Sequence, residues 1–280
     1  MENRAELLAL LREKARILRK NVIRCIGVGV PGHLGGSNSS ADLLAALYFY
    51  KLRHDPANPN WKERDRVLFS KGHAAILQYS ALAECGYFPV EELDHVKEIG
   101  SMLQGHPDYL KTPGIEAGTG SLGQGLSIGL GMALGQRLDR LDSKTYVFLG
   151  DGEIAEGQIW EAAMAAGTMK VSNLIAILDR NGLQAMGPVA QRFDSSPIIP
   201  KWEAFGWRVI EIDGHDMSQI VDALDDAASG GDRPVLIVAN TVKGKGVSLA
   251  ENVVGFHNGT LTQELYDRAM RELDGEEAAV

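Results

Sequence analysis

Cysteine is scarce in this chain: Cys25 and Cys85 are the two in 280 residues. Two thiols cannot build a disulfide framework, so the sequence points to a reducing compartment. Positive charge is also short. Lys and Arg number 28 against 37 Asp and Glu, a formal net charge of −9. That balance leaves no electrostatic footprint for nucleic acid and disfavours an anionic membrane surface. No apolar run is long enough to cross a bilayer. Met1-Glu2-Asn3-Arg4 leads directly into a charged helical pattern, so no signal peptide is expected. Internal repeats and low-complexity linkers are lacking as well. A cytoplasmic protein with no nucleic-acid or membrane partner fits these absences.

What is present is an ordinary globular composition, 45% hydrophobic and 23% charged. A chain of this length can bury one large α/β core or two small ones. The reading taken is a single domain over 1–280. Tyr146 to Leu183 organises it. Tyr146 to Leu149 is a short apolar run ending in Gly150-Asp151-Gly152. Asn173 to Leu178 is a second, ending in Asp179-Arg180-Asn181-Gly182. Between them, Glu156 to Lys170 is rich in Ala, Met and Glu and favours helix. Strand, turn, helix, strand is the pattern of a parallel crossover, in which both strands end at the same edge of the sheet. Asp151 and Asn181 then lie side by side at the carboxyl edge, where open parallel sheets bind ligands. A carboxylate and an amide oxygen are hard ligands suited to Mg2+, which fills its remaining positions with water and ligand phosphate. Gly152 lets the backbone approach a phosphate, and the following helix start favours negative charge. An isolated Gly-Asp-Gly is usually an ordinary turn. The repeated strand-end placement argues for a magnesium diphosphate site instead.

The rest of the chain supplies further loops. Ala5 to Ile26 has apolar residues at helical spacing. His33 lies in the glycine-rich stretch Gly29 to Ser40, whose Ser39 or Ser40 is placed to cap a helix over Ala41 to Tyr50. Arg66 to Ser70 reads as a strand, followed by Lys71, His73 and a helix from Ala74. Lys71 beside His73 could serve a phosphate, but a surface charge is the favoured reading. Gly118 to Gly123 formally matches a dinucleotide fingerprint, but no apolar strand precedes it. Leu122 to Leu141 reads as a helix with Gly and Ala on one face. Trp207 to Asp213 and Pro234 to Asn240 are two more strands. Thr241 to His257 is a long loop of the kind that covers an active site, with Lys243 and Lys245 read as loop charges ahead of a role toward substrate. His215 reads as structural, and the tail from Gly275 to Val280 is expected to fray.

Gly150-Asp151-Gly152 followed by Asp179-Arg180-Asn181-Gly182 resembles the thiamine diphosphate fingerprint, and the chain from about Ala5 to His257 looks like the N-terminal half of transketolase. The resemblance implies an α/β fold, a doubly wound and mostly parallel sheet with helices on both faces. It implies thiamine diphosphate and Mg2+ as cofactors, with Asp151, Asn181 and the carbonyl of Leu183 on the metal. Gly152, Glu153, His73 and His257 would meet the diphosphate, and the backbone of Gly120 and Leu122 the aminopyrimidine. Ser121 replaces the proline usual in that loop. His33 would face the reacting sugar and His106, in Gly-His-Pro, its hydroxyls. Glu156 would lie at a dimer interface linking two active sites, and Glu161 reads as structural.

Four histidines (His33, His73, His106 and His257) thus fall in separate glycine-rich loops, suited to proton transfers on a polyhydroxylated ketose. Full-length transketolases are roughly twice as long, and nothing after His257 can encode the missing half. The resemblance therefore implies one subunit of a split transketolase, transferring a two-carbon ketol unit between sugars or sugar phosphates. Its partner would be a C-terminal subunit, in an assembly of two copies of each. An α-type subunit of a 2-oxo acid decarboxylating component, or a non-enzymatic orphan half, are the alternatives. The histidine-rich loops argue against the former.

Overall fold

Alternation along five short strands decides the architecture. The computed structural model of the chain describes residues 3–275, so both ends of the 1–280 span lie outside it, including the tail expected to fray after Gly275. The strands are β1 (Arg66–Phe69), β2 (Thr145–Gly150), β3 (Leu174–Arg180), β4 (Arg208–Asp213) and β5 (Val235–Asn240). They form one parallel sheet in the order β1-β2-β3-β5-β4. In β2 and β3, Tyr146, Phe148, Ile175 and Ile177 join one apolar cluster, while Val147, Leu149, Leu174, Ala176 and Leu178 join another. Both faces of the sheet are therefore covered, as its near-continuous apolar strands require. Each buried Val, Leu, Ile or Phe among them contributes about 1.5–3 kcal/mol by leaving water.

Helices α1 (Arg4–Ile26), α2 (Ala41–Ala46), α3 (Ala75–Cys85) and α6 (Met217–Ala228) pack into the first cluster. Helices α4 (Gln124–Leu138) and α5 (Gly157–Thr168) pack into the second. This is the doubly wound arrangement expected. The helix read as Leu122 to Leu141 is shorter at both ends: Gly123 takes a left-handed turn (φ 85°) before it, and Arg140 another (φ 58°) after it. Glycine on its inner face does allow close packing. A Cβ at Gly125 would stand 2.4 Å from Ser70 Cβ, and one at Gly129 2.5 Å from Val147 Cγ2. The helix read as Ala41 to Tyr50 ends at Ala46, and a wider π turn, Leu47–Lys51, seats Leu47 and Tyr48 in the core.

Two polar readings are corrected by burial. Lys71 is 2% exposed, not a surface charge. Its Nζ donates to Asp179 Oδ2 (2.5 Å), to the Gly36 carbonyl (2.7 Å) and to Ser40 Oγ (2.7 Å). Asp179 is fully buried at the end of β3, and also accepts from Ser39 Oγ (2.6 Å) and Thr241 Oγ1. The hydroxyls of Ser39 and Ser40 are thus engaged by this ion pair. Ser40 stands at the start of α2 without making a capping bond.

Removing one member of a buried pair strands the other's charge, so Lys71→Met should lower stability by about 3–5 kcal/mol in urea unfolding at neutral pH. A loss under about 1 kcal/mol would show that Asp179 finds other compensation. Burial alone would push the Asp179 carboxyl up. The Lys71 ammonium and the hydroxyl donors outweigh it and hold the group at about 2. The folded value lies below the unfolded one, so the pair's contribution is complete above about pH 4 and fades as pH falls toward 2.

Candidate active site at the carboxyl edge

The strands end together, and their following loops enclose a cleft of about 590 Å³, counting space open to solvent. The loop after β1 brings Lys71 and His73, that after β2 brings Gly150 to Glu153, and that after β3 brings Asn181 and Leu183. The long loop after β5 brings Lys243 and His257, and Gly36 closes one wall. Gly150 pairs with Asp179 in the ladder, which sets Asp151 and Asn181 on neighbouring strand ends. Asp151 Oδ1 accepts the Gly152 N–H (2.8 Å) and Oδ2 the Gly182 N–H (2.5 Å), fixing the carboxylate between the two turns.

Asn181 Nδ2 donates to Asp179 (3.1 Å), and its Oδ1 accepts the Leu183 N–H (3.1 Å). Because a carboxylate only accepts, this fixes which end of the amide is oxygen. The Leu183 carbonyl faces the cleft, where Lys243 Nζ donates to it (2.8 Å). Among the described residues no group of three or more His, Cys, Asp or Glu could hold a metal ion. One carboxylate, one amide and one carbonyl instead make a mixed, all-oxygen donor set of the kind Mg2+ accepts beside phosphate and water. Burial, then the nearby Asp179 charge, pushes the Asp151 carboxyl up to about 6. A divalent cation would reverse that cost, so the residues fit a metal.

Three of the four histidines meet. The ring centroids of His33 and His73 are 5.0 Å apart, those of His73 and His257 5.1 Å, and those of His33 and His257 5.5 Å. His73 closely follows β1, and His257 lies far along the loop after β5. His33 follows the two-residue strand Pro31–Gly32, which pairs antiparallel with Gly259–Thr260. Lys243 Nζ approaches His257 Nδ1 at 3.0 Å, which leaves the His257 proton on Nε2. Burial lowers all three imidazoles, and cations nearby add to it: Lys97 for His33, Lys71 for His73 and Lys243 for His257. They fall to about 4, about 2 and about 4 in that order.

His106 stands apart, exposed. Its ring lies against Gly120, where a Cβ would come within 2.5 Å of His106 Cδ2 and where φ is +136°. Position 120 therefore needs glycine for room and for backbone conformation. Leu122 lines the cleft, and its carbonyl accepts from Gln158 Nε2 (2.9 Å). Glu153 also lines the cleft, but its carboxylate is engaged by Ser70 Oγ, the Gly123 N–H (2.8 Å) and the Gly150 N–H (3.0 Å). It ties the 120s loop to β2 rather than reaching outward. Glu156 and Glu161 are exposed on the start of α5.

Lys243 is the main site residue that the sequence reading ranked too low, preferring a loop charge to a substrate contact. It is 2% exposed, not a loop charge, while Lys245 is half-exposed as expected. Burial, then the Lys71 charge, lowers its ammonium to about 8. The available signal was position: Lys243 follows β5 by three residues at the edge where every other site group lies. His215 is structural, as read. Val242 N–H donates to its Nε2 (2.8 Å), so its Nδ1 carries the proton toward Asp42 Oδ2 (2.8 Å).

At pH 6 a free imidazole is mostly protonated, but His33, His73 and His257 should all be neutral. Ring resonances followed by NMR should titrate near or below pH 4–5 for these three. Titration of all three near 6.5 would show that the cleft is far more hydrated than its packing indicates.

The chain matches the family described as "Transketolase, thiamine diphosphate binding domain" over residues 10–277. It is 46% identical over 268 residues to a Clostridium protein named as a subunit of 6-deoxy-6-sulfo-D-fructose transketolase, covering 96% of this chain and 98% of the relative. It is 41% identical over 268 residues to a Phocaeicola vulgatus protein named as one of the subunits of apulose-4-phosphate transketolase, covering 96% and 94%. Among solved structures, transketolase from Campylobacter jejuni is similar with a TM-score of 0.88 and 34% identity, covering 95% of this chain and 43% of that one. A fructose 6-phosphate complex of the Pichia stipitis enzyme gives 0.89 and 32%, covering 95% and 41%. The chain thus spans about two fifths of these solved proteins.

Proposed function

Because the chain belongs to the transketolase family, as its thiamine diphosphate binding domain, we propose that it is the N-terminal subunit of a two-polypeptide transketolase. In this reading it is a single domain over 1–280 that transfers a two-carbon ketol unit from a ketose to an aldose. The observation that carries it is the convergence of Asp151, Asn181 and the Leu183 carbonyl with His73, His257 and Lys243 in one cleft. Asp151, Asn181 and Leu183 would hold Mg2+. His73, His257 and the Lys243 ammonium would meet the diphosphate, with Gly152 allowing its close approach. Bound thiamine diphosphate would supply the nucleophilic carbon and the electron sink for carbon–carbon cleavage.

The chain's own residues would do the rest. Neutral imidazoles both donate and accept hydrogen bonds, so His33 and His257 can hold sugar hydroxyls and move protons without imposing a charge. His106 would meet the sugar from the cleft's outer side. The relatives named for 6-deoxy-6-sulfo-D-fructose and for apulose 4-phosphate support a donor ketose with an anionic end.

A partner polypeptide would supply the pyrimidine pocket around Gly120 and Leu122, with its activating carboxylate, in an assembly of two copies of each chain. Glu156 would then lie where the halves meet. The outer face of α4 supports this: Gly131 and Gly135 have open space where a Cβ would go. Leu138 is 84% exposed beside them, and Met164 on α5 is 49% exposed.

With the assembled complex, Asp151→Ala should reduce Mg2+-dependent binding of thiamine diphosphate below calorimetric detection, and Asn181→Ala should weaken it less. Undiminished binding by the Asp151 variant would sink the metal assignment. The purified chain alone should show no ketol transfer, and mixing with its partner should restore turnover and cofactor affinity together. Full turnover by the isolated chain would refute the split-subunit reading.

A further inference from the structure

The setting of Lys243 leads beyond a simple phosphate contact. Its stem is walled in: a Cβ at Gly35 would come within 2.9 Å of both its Cγ and its Cε. The backbone is pinned on both sides. Val242 N–H donates to His215 Nε2 (2.8 Å), Gly244 N–H to the Gly35 carbonyl (3.0 Å), and the Lys243 carbonyl accepts from Asn252 N–H (2.8 Å). The ammonium head is therefore delivered to one small region, between the Leu183 carbonyl (2.8 Å) and His257 Nδ1 (3.0 Å).

The Leu183 carbonyl is also the third oxygen of the proposed metal site, on which this inference rests. A carbonyl has two lone pairs and can in principle serve both cations. The charges are the obstacle. Mg2+ sits about 2.1 Å from a ligand oxygen. With the ammonium 2.8 Å from the same oxygen, the two cations are at most about 4.9 Å apart, where they repel more than in bulk water because Lys243 and Asp151 are buried. A diphosphate removes the conflict, because its oxygens can accept the ammonium protons and bridge to the metal.

We infer that Lys243 couples the two ligands: its ammonium holds the Leu183 carbonyl against a divalent cation until a diphosphate draws it away. Cation and diphosphate then enter together, and the cation alone binds poorly. By linkage, whatever the diphosphate gives the metal, the metal gives the diphosphate.

Mn2+ uptake by the complex of the chain with its partner polypeptide, followed by electron paramagnetic resonance without and with thiamine diphosphate, tests this without any turnover assay. Lys243→Met should bind Mn2+ alone about tenfold more tightly than wild type, and gain less from added thiamine diphosphate. Lys243→Arg, which keeps the charge, should stay as weak as wild type toward Mn2+ alone. Circular dichroism melting identifies which variants are folded, and the arginine variant carries the test if the methionine one is not. Equal or weaker Mn2+ binding by a folded Lys243→Met, or tight Mn2+ binding by Lys243→Arg, would overturn the inference. If wild type takes up no Mn2+ even with thiamine diphosphate present, the metal-diphosphate reading falls and the coupling with it.

Discussion

The ion pair between Lys71 and Asp179 is the constraint from which the cleft follows. It joins the end of β1 to the end of β3 across the intervening β2, and draws in Gly36, Ser39, Ser40 and Thr241. Burying two opposite charges is seldom favourable in itself, because desolvation consumes most of the attraction. Here the remaining donors and acceptors are nearly all used. What the pair provides is position. Asn181 is oriented by Asp179, and Asp151 is tied to Gly182 beside it. The candidate metal oxygens thus inherit their geometry from a charge pair set beneath them.

Around this knot the electrostatics are divided. Lys71 is fully matched by Asp179, while Lys243 has two carboxylates within influence and no direct ion pair among the described residues. Asp151 likewise faces no cation at ion-pair distance there. The cleft therefore keeps one carboxylate and one ammonium short of partners, beside three imidazoles kept neutral. That distribution suits a ligand that brings both signs of charge, as a metal diphosphate does.

The parallel crossover was readable because each strand is a short apolar run closed by a glycine turn, and Asp151 and Asn181 stood out by sharing that placement. The histidines were readable as loop residues, but His106 could not be separated from the other three without the fold. Lys71 and Lys243 were misread for one reason. A lysine's exposure depends on what covers it, and the covers of Lys71 are Ser40 and Asp179, 31 and 108 positions away. Glu153 was readable as a turn residue beside Gly152, but not as the acceptor that gathers Ser70 and Gly123, 83 and 30 positions away. The boundaries of α2 and α4 slipped because a π turn and a left-handed glycine leave little trace in hydrophobic spacing.

One contact chain has a mechanical meaning. A Cβ at Gly72 would come within 2.6 Å of Gly120 N, and one at Gly120 within 2.5 Å of the His106 ring. Three loops therefore touch backbone to backbone to ring, with no flexible side chain between them to take up slack. Side chains can absorb a push by changing rotamer, but a peptide against a peptide transmits it, as close-packed interiors do. Any push on the exposed His106 ring would press the 118–123 segment against Gly72, and so against its neighbour His73 in the cleft. The rim and the floor then share one stiffness, and softening either would loosen the other.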